Sequence, residues 1–363
     1  TKYSECLLAV KFRQVDEDGH VVGGPFNYIE HGMGPKWKWL AKIFAFFGIG
    51  VGLLGIGTFT QVNGISSAVN NFFDSNNAWT VSLFGRTYSW TVVISCLILT
   101  FCVALVLIGG IQRISKVAQV IVPFMAATYF LAGILIILFN ITDVPAAILT
   151  IVQSAFGLKA AAGGALGAMV VAMQKGIARG IFSNEAGLGS APIAAAAART
   201  NEPVRQGLVS MTATFIDTII ICSITGIAIV LTGAYDMGLE GVAVTTKAFQ
   251  IGLPFPDGVA SFILMLCLVF FAFTTILGWD YYSERCLEYL TNGKKKCIKA
   301  YRWVYILCVF IGPYMTVSAV WTIADIFNGL MAIPNLIALV ALSGVVAKET
   351  KDYLDRIKKK EID

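Results

Sequence analysis

Charged side chains are scarce in this sequence. Aspartate, glutamate, lysine and arginine make up 13% of the 363 residues, whereas 57% are hydrophobic. A water-soluble domain carries roughly 25% charged residues, so this composition excludes an ordinary soluble protein. Long runs without any charge occur at 88–111, 117–139 and 303–320. Each is near or above the roughly 20 residues that cross a bilayer as a helix, which predicts an all-α polytopic membrane protein.

Residues for catalysis and for metal binding are also few. The only histidines are His20 and His31, and both lie in one predicted loop region. Nucleophilic catalysis needs a base beside serine or cysteine, and the sequence contains neither GxSxG nor HExxH. The eight cysteines stand singly without a CxxC pair, so neither a disulfide framework nor a zinc site is indicated. We therefore expect that the protein is not an enzyme. A channel is a further alternative, which saturable ion coupling would exclude.

Basic residues are concentrated in alternate loops. Of the 27 lysines and arginines, 22 fall in five stretches, which are 1–42, 113–116, 199–205, 285–302 and 348–360. Cytoplasmic loops carry such an excess, so these stretches, including the C-terminal tail, are expected on the cytoplasmic side of a cell membrane. Topology accounts for the charge, and no nucleic-acid partner is needed.

Eight spans are predicted, at about 40–72, 88–111, 117–139, 161–198, 206–233, 258–290, 303–320 and 322–347. The segment 21–39 contains turn residues, two lysines and two tryptophans, which is typical of a loop at the membrane interface. The opening TKYSECLLAVKFR is typical of a helix already under way, and we expect an upstream region before it.

The fourth span is interrupted by GIARGIFSNEAGLGSAPIAAAAA, residues 176–198. Four glycines weaken the helix, and Pro192 suits the start of a second one. The predicted arrangement is a half-helix, an unwound GIFSNEAGLG and another half-helix. Discontinuous helices of this kind build binding sites in many secondary transporters. The alternative is a kinked packing helix in which Arg179 and Glu185 form a local ion pair.

Span 258–290 places Thr275 and Trp279 on one helix face, with Thr274 one step around. Two hydroxyls suit Na⁺, although the residues alone favour hydroxyls that bond the carbonyl one turn back. Asp217 and Asp325 are expected to line an ion path or to cap the broken helix. Asp280, Glu284 and Arg285 are interpreted as gate or surface charges.

Span 40–72 has Gly48, Gly52 and Gly55 at spacings that let another helix approach closely, and packing is the favoured interpretation. Gln61 and Asn63 are amides at membrane depth. They are equally consistent with a structural hydrogen bond between helices and with a ligand contact.

Three motifs closely resemble the alanine/glycine:cation symporter family, also called sodium:alanine symporters: GIARGIFSNEAGLGSAPIAAAAA, GGPFNYIEHGMG and GGIQRISKVAQVIVPFMA. The resemblance covers essentially the whole chain. It implies a leucine-transporter-like fold, in which two five-helix repeats of inverted topology each open with a broken helix. The chain then lacks the first two helices. Its parts are the end of the second helix with an interfacial loop (1–39), the third to fifth helices (40–139), the second repeat with the broken helix at 176–192 (140–347), and a basic tail (348–363).

The resemblance also implies roles for individual residues. Unwound Phe182 and Ser183 meet the substrate, Leu188 closes the pocket and Trp279 walls it off. Thr275 contributes both to the substrate site and, with Thr274, to a sodium site that the missing first helix completes, and Gln61 lies at a depth that reaches the substrate. Between two bulky aromatic rings, alanine and glycine fit whereas leucine clashes.

The coupling ion is expected to be sodium. The run 117–139 contains no ionisable side chain except Tyr129, so no resident cation replaces the ion at the midplane. The sequence thus predicts a sodium-driven importer of small neutral amino acids, expected as a monomer in the lipid bilayer. Proton coupling through Asp217 or Asp325 is the alternative.

Overall fold

Helices form almost all of the structure, a computed structural model that describes residues 1–15, 21–83, 85–109, 111–156 and 164–359. His20, Lys159 and the last four residues of the predicted tail lie outside these ranges. The helices are α1 (Lys2–Lys11), α2 (Pro25–Asn27), α3 (Lys38–Leu54), α4 (Phe59–Phe73), α5 (Trp90–Ile108), α6 (Ile111–Phe139), α7 (Val144–Ala155), α8 (Ala165–Asn184), α9 (Ala191–Ala195), α10 (Pro203–Thr214), α11 (Ser223–Leu231), α12 (Val242–Gly252), α13 (Asp257–Thr291), α14 (Lys295–Ile311), α15 (Val317–Ala341) and α16 (Ser343–Lys358).

Two short antiparallel hairpins interrupt this helical pattern. They pair β1 (Gln14–Val15) with β2 (Val21–Val22), and β3 (Thr80–Leu83) with β4 (Arg86–Ser89). In the second hairpin Val81 lies opposite Tyr88. Ser89 then caps the next helix, because its hydroxyl accepts a hydrogen bond from the Thr91 amide at 3.2 Å.

Six helical segments within the described residues are long and apolar enough to cross a membrane: Pro35–Phe73, Trp90–Ile108, Arg113–Phe139, Pro203–Leu231, Asp257–Thr291 and Val317–Ala341. This confirms a predominantly helical, polytopic membrane protein. The finer assignment to two inverted repeats of five helices stays a prediction.

One membrane segment contains a break that the sequence interpretation missed. The predicted span 40–72 is divided into α3 and α4, and the helix stops over 55–58. Gly57 fits there because an added Cβ would lie 2.7 Å from the Gly52 carbonyl oxygen. The Thr58 hydroxyl donates to the Leu53 carbonyl at 2.5 Å, which satisfies one group that the break leaves free. Gly55 therefore ends a helix, whereas Gly48 and Gly52 pack closely against α13, as predicted.

The second interruption separates α8 from α9 and covers 185–190. It is shorter than the predicted GIFSNEAGLG, so Phe182 and Ser183 lie in the last turn of a helix and are not unwound. Glu185, Gly187 and Gly189 all have positive φ, at 56°, 94° and 90°, which ends the right-handed helix.

Other boundaries also differ from the prediction. Gly312–Tyr314 forms a 3₁₀ turn between α14 and α15, where one predicted span ran on to 320. The tail beyond 347 continues α16, which begins at Ser343. Segment 206–233 is helical as far as Leu231 and includes a π-helical stretch, Phe215–Cys222. The helices α7 and α12 lie in segments for which no helix was predicted.

The largest buried cluster joins the two interrupted segments to α13. It contains Leu188 from the second interruption, Ile56 from the first, Phe44 from α3, Trp279 from α13 and Met331 from α15. The core of the molecule therefore fixes both breaks against the same helix.

Candidate substrate and ion site

Glu185 organises the second interruption. Its Oε1 accepts a hydrogen bond from Trp279 Nε1 at 3.1 Å, and its Oε2 accepts one from the Ser190 hydroxyl at 2.6 Å. Arg179 instead forms a two-pronged ion pair with Asp325, with a shortest distance of 2.9 Å. The alternative of a local pair between Arg179 and Glu185 is therefore wrong, and Glu185 ties the break to α13.

Three side chains hold the Gly187 backbone of the break, and we call the set of Glu5, Tyr28, Asn335 and Gly187 the Gly187 clamp. The Gly187 amide donates to Glu5 Oε1 at 3.1 Å. Asn335 Nδ2 donates to the Gly187 carbonyl at 2.9 Å and to Glu5 Oε1 at 2.5 Å. The Tyr28 hydroxyl donates to Asn335 Oδ1. All three side chains are fully buried.

The clamp was not anticipated from the sequence. Its only signals were a glutamate in the apolar stretch of α1 and an asparagine after Pro334 in an apolar span. Buried polar groups of this kind need partners. The pattern does not reveal that the partners come from segments more than 140 residues apart.

The clamp changes the bonding of the last turn of α8. In a continuing helix the amides of Ala186 and Gly187 would donate to the carbonyls of Phe182 and Ser183. Here the Ala186 amide donates to Asn184 Oδ1 at 2.9 Å, and the Gly187 amide donates to Glu5. The carbonyls of Phe182 and Ser183 are thereby left without their helical donors at the negative end of the α8 dipole.

The structure brings three of the predicted substrate residues together. Leu188 and Trp279 are fully buried in one cluster, and Phe182 packs against it. The Phe182 ring lies 4.8 Å from the Trp321 ring, which carries the Arg179 guanidinium at 4.3 Å from its centroid.

Ser183 has a different environment. Its exposed hydroxyl donates to both oxygens of Asp217, at 2.8 Å and 3.0 Å. Next to it, Asn184 Nδ2 donates to the Thr218 hydroxyl at 2.9 Å. The end of α8 is therefore fixed to the π-helical stretch that carries Asp217.

The two threonines of the predicted sodium site bond within their own helix. The Thr274 hydroxyl lies 3.0 Å from the Phe270 carbonyl and 2.9 Å from that of Phe271, and Thr275 bonds the Phe271 carbonyl at 2.9 Å. This is the bonding that the residues alone favoured. Their oxygens still have lone pairs that can coordinate a cation. Within the described ranges, no group of three or more His, Cys, Asp or Glu side chains is placed to hold a metal ion.

Gln61 lies at the other break. Its Nε2 donates to the Ile56 carbonyl at 3.0 Å, and no hydrogen bond joins it to 185–190 in the described part of the chain. Asn63 donates to the Met315 carbonyl at 3.0 Å, which is the structural alternative predicted for that amide.

Two cavities lie near these elements, and none of the predicted site residues lines either of them. The smaller has a volume of about 380 Å³ and a mixed lining, with polar side chains mainly from α4 and apolar ones from α12, α13 and α15, and its Trp321 lies beside Phe182. The larger, of about 750 Å³, is lined mainly by apolar side chains of α4, α5 and α13. The smaller cavity thus approaches the α8 break, whereas the larger one does not.

Comparison with known proteins fits this arrangement of broken helices in an apolar bundle. The family model described as the sodium:alanine symporter family matches residues 1–363. The chain belongs to this family. It is therefore a cation-coupled amino-acid symporter and not an enzyme, as the sequence predicted.

Curated relatives cover the symporter almost completely. It is 52% identical over 360 residues to an uncharacterized transporter of Haemophilus influenzae, with 99% of this chain and 74% of the relative covered. It is 43% identical over 370 residues to the sodium/alanine symporter AgcS of Methanococcus maripaludis, with 99% and 75% covered. It is 35% identical over 377 residues to a putative sodium/proton-dependent alanine carrier protein, YrbD of Bacillus subtilis, with 99% and 72% covered.

Proposed function

We propose that the symporter imports small neutral amino acids, alanine and glycine, together with Na⁺ by alternating access. One observation carries this proposal. The Gly187 clamp and Asn184 divert the two amides that would close α8, so that the carbonyls of Phe182 and Ser183 have no helical donors. Carbonyl oxygens at the negative end of a helix suit the ammonium group of an amino acid.

The aromatic surroundings support a small substrate. Phe182 packs against the buried cluster that contains Leu188 and Trp279, and the Trp321 ring lies beside it. We infer that a substrate bound beside these rings can carry a hydrogen or a methyl side chain, whereas a leucine side chain would clash with them. The relative AgcS, whose name includes alanine, supports the same assignment.

Na⁺ is proposed to bind at Thr274 and Thr275. Hydroxyl oxygens are hard ligands that suit Na⁺, and each of these two can donate to its own helix while accepting a cation on a lone pair. The resemblance implies that the first helix of the fold completes both this site and the substrate site. The relative's name, a sodium/alanine symporter, agrees with this ion.

The test is uptake of labelled alanine by the full-length protein in liposomes. We expect uptake that requires an inward sodium gradient and that excess glycine, but not leucine, competes. Thr275→Val removes one ion ligand, so the half-saturating sodium concentration should rise at least about tenfold, or about 1.4 kcal/mol. Thr246→Val is the matched control, since the Thr246 hydroxyl also bonds the carbonyl one turn back, but on α12.

Uptake that proceeds without the sodium gradient would end the symport proposal. An unchanged sodium dependence in the Thr275 variant would instead refute the ion site alone.

A second candidate is proton coupling through Asp217, since its carboxylate receives the Ser183 hydroxyl at the end of α8. Asp325 is less suited to this role because it is engaged by Arg179. The name of the relative YrbD includes both sodium and proton. Alanine uptake driven by a proton gradient in sodium-free buffer, and lost in Asp217→Asn, would favour this alternative.

We further propose that the C-terminal tail is cytoplasmic in a multi-pass cell-membrane protein, and that the protein is a monomer. Contacts of α16 support the orientation. Its Glu349 pairs with Lys11 at 2.6 Å, and its Arg356 pairs with Glu202 at 2.6 Å. These partners lie in or beside the basic stretches that loop charge places on the same side of the membrane.

A further inference from the structure

Three carboxylates lie along one face of α13. Asp280, Glu284 and Glu288 are spaced by four residues, which stacks them in successive helical turns. Asp280 is 3% exposed and Glu284 is 5% exposed, so neither is a surface charge, and a role of either in a gate stays a prediction. The carboxylate ladder, as we call these three residues, leads from the buried middle of α13 toward its C-terminal end.

Two guanidinium groups lie beside the ladder, and both bind its two carboxylates nearer the C-terminal end of α13, Glu284 and Glu288. Arg302 of α14 donates to Glu284 at 2.6 Å and 3.0 Å. Arg285 lies 3.2 Å from Glu284 and 2.5 Å from Glu288. Three acidic groups therefore share two basic ones, which leaves one negative charge in excess if every carboxyl is ionised.

The excess charge falls on Asp280. Its Oδ1 is enclosed by the chain and has no hydrogen-bond partner among the described residues. The charged groups that act on it are Glu284, Arg302 and Arg285. Arg302 bonds Glu284, and the two terminal nitrogens of Arg285 contact Glu284 and Glu288, whereas Arg285 Nε has no hydrogen-bond partner among the described residues. An unpaired carboxylate in such an environment is strongly disfavoured.

The neighbouring hydroxyls do not neutralise this charge. Tyr301 of α14 donates to the Ser283 hydroxyl at 2.5 Å. The Tyr305 hydroxyl lies 2.7 Å from the Ile276 carbonyl and 3.2 Å from that of Gly57. Both tyrosines therefore direct their hydrogens to other acceptors, and the segment of α3 that packs on Ser283 presents glycine.

We propose that Asp280 is a proton-binding site that is separate from the sodium site. A proton removes the buried charge without further ligands, whereas a metal cation would need several oxygens and would be repelled by the two guanidinium groups. The lower end of the ladder opens to water, since the Glu288 side chain is 21% exposed and that of Arg302 is 33% exposed. Protons reach Asp280 from that end of α13.

The site is adjacent to the transport machinery. Asp280 directly follows Trp279, whose ring nitrogen bonds Glu185 at the α8 break. Loss of the proton leaves a charge that the packing of this structure cannot accommodate, so it favours conformations in which water enters beside α13. Raising the pH on the side of the ladder's open end should therefore slow a cycle that must return to the packed state.

The first test does not depend on transport. The full-length protein and its Asp280→Asn variant are purified, and the protonated carboxyl band is measured by infrared spectroscopy at neutral pH. We expect the variant to lose a band that remains in Asp257→Asn, a matched change at an exposed position on the same helix. Persistence of the full band in Asp280→Asn would overturn the proposal.

Unfolding measured against pH gives a second readout of the same proton. A proton held by the folded protein and released on unfolding makes stability fall as pH rises, by up to about tenfold in the folding equilibrium per pH unit. Asp280→Asn should remove that fall between pH 6 and 9, and Asp257→Asn should retain it. If Asp280→Asn does not fold, Asp280→Ser serves in both measurements. An equal pH dependence in all variants would refute the site.

The transport consequence rests on the proposed function. Sodium-driven alanine uptake into liposomes is measured while the pH on the ladder's open side is raised from 6 to 9. Wild-type uptake should fall at least threefold, and Asp280→Asn uptake should change by less than half as much. Equal falls would refute the transport consequence. Absence of sodium-driven uptake in the wild type would refute the proposed function while leaving the infrared result standing.

Discussion

Replacing Asn335 by alanine tests whether the Gly187 clamp holds the broken helix. The substitution removes the amide that donates to the Gly187 carbonyl and to Glu5, and the carbonyl that receives the Tyr28 hydroxyl. Glu5 Oε1 keeps the Gly187 amide as a donor. Two buried groups, the Gly187 carbonyl and the Tyr28 hydroxyl, therefore lose their partners.

Each buried polar group left without a partner costs about 1–3 kcal/mol. For two such groups we expect the free energy of unfolding to fall by about 3 kcal/mol, toward the lower end of the summed range because neighbouring groups relax. Asn328→Ala is the matched control. Asn328 is also a buried asparagine on α15, but its Oδ1 has no hydrogen-bond partner among the described residues, so its truncation should cost about 1 kcal/mol or less.

The measurement is reversible unfolding of the full-length protein in mixed micelles, with both variants compared to the wild type. Equal losses of stability in the Asn335 and Asn328 variants would show that the clamp contributes nothing beyond ordinary packing. A loss confined to Asn335→Ala, accompanied by a raised half-saturating alanine concentration, is the expected result.

Three further substitutions test two other contacts. Gly57→Ala should lower the free energy of unfolding by about 1–3 kcal/mol, because the new Cβ would lie 2.8 Å from Trp279 Cβ. The control is Gly64→Ala, which should be neutral or stabilising by up to about 1 kcal/mol, since its Cβ would contact only Val242 at 3.7 Å. A larger loss of stability in Gly64→Ala than in Gly57→Ala, in the same unfolding assay, would refute the packing of this break. The hydrogen bond from Arg356 holds the pKa of Glu202 below its usual range, so this pair stabilises the protein above the ordinary glutamate pKa and the gain is lost as the pH falls through the lowered pKa. Glu202→Gln should therefore cost about 0.5 kcal/mol at neutral pH and nothing in acid, whereas a cost that is equal at both pH values would contradict the assignment.

The sequence predicted the membrane class and the region of one interruption for clear physical reasons. Uncharged runs of span length have few other uses, and glycines with Asn184 and Glu185 at membrane depth weaken a helix and need polar partners. The exact unwound residues were missed because the end of a helix depends on which acceptors bind the amides that no longer make helical bonds. At α8 those acceptors are the side chains of Asn184 and Glu5, and only the folded arrangement brings Glu5 there.

The break between α3 and α4 escaped prediction for a related reason. Gly55 belongs to a run of glycines that equally suits close helix packing, and Gly48 and Gly52 do pack in that way. What ends the helix is the local bonding of Thr58 to Leu53, together with the Tyr305 hydroxyl that reaches Gly57 from α14. A one-dimensional pattern does not contain that second contact. The same holds for Asp280, since its burial depends on how other helices pack against α13 and is not visible in the sequence around it.

Trp279 contacts both interrupted segments, through its Cβ beside Gly57 and through its ring nitrogen on Glu185. A displacement of the backbone at one interruption therefore also moves the Trp279 side chain, which contacts the other interruption. A transport defect in a Trp279 variant would thus have two structural origins, the loss of the ring beside the substrate and the loss of the contact between the two interruptions. Glu185→Gln separates these origins, because it alters the hydrogen bond to Trp279 and leaves the ring in place.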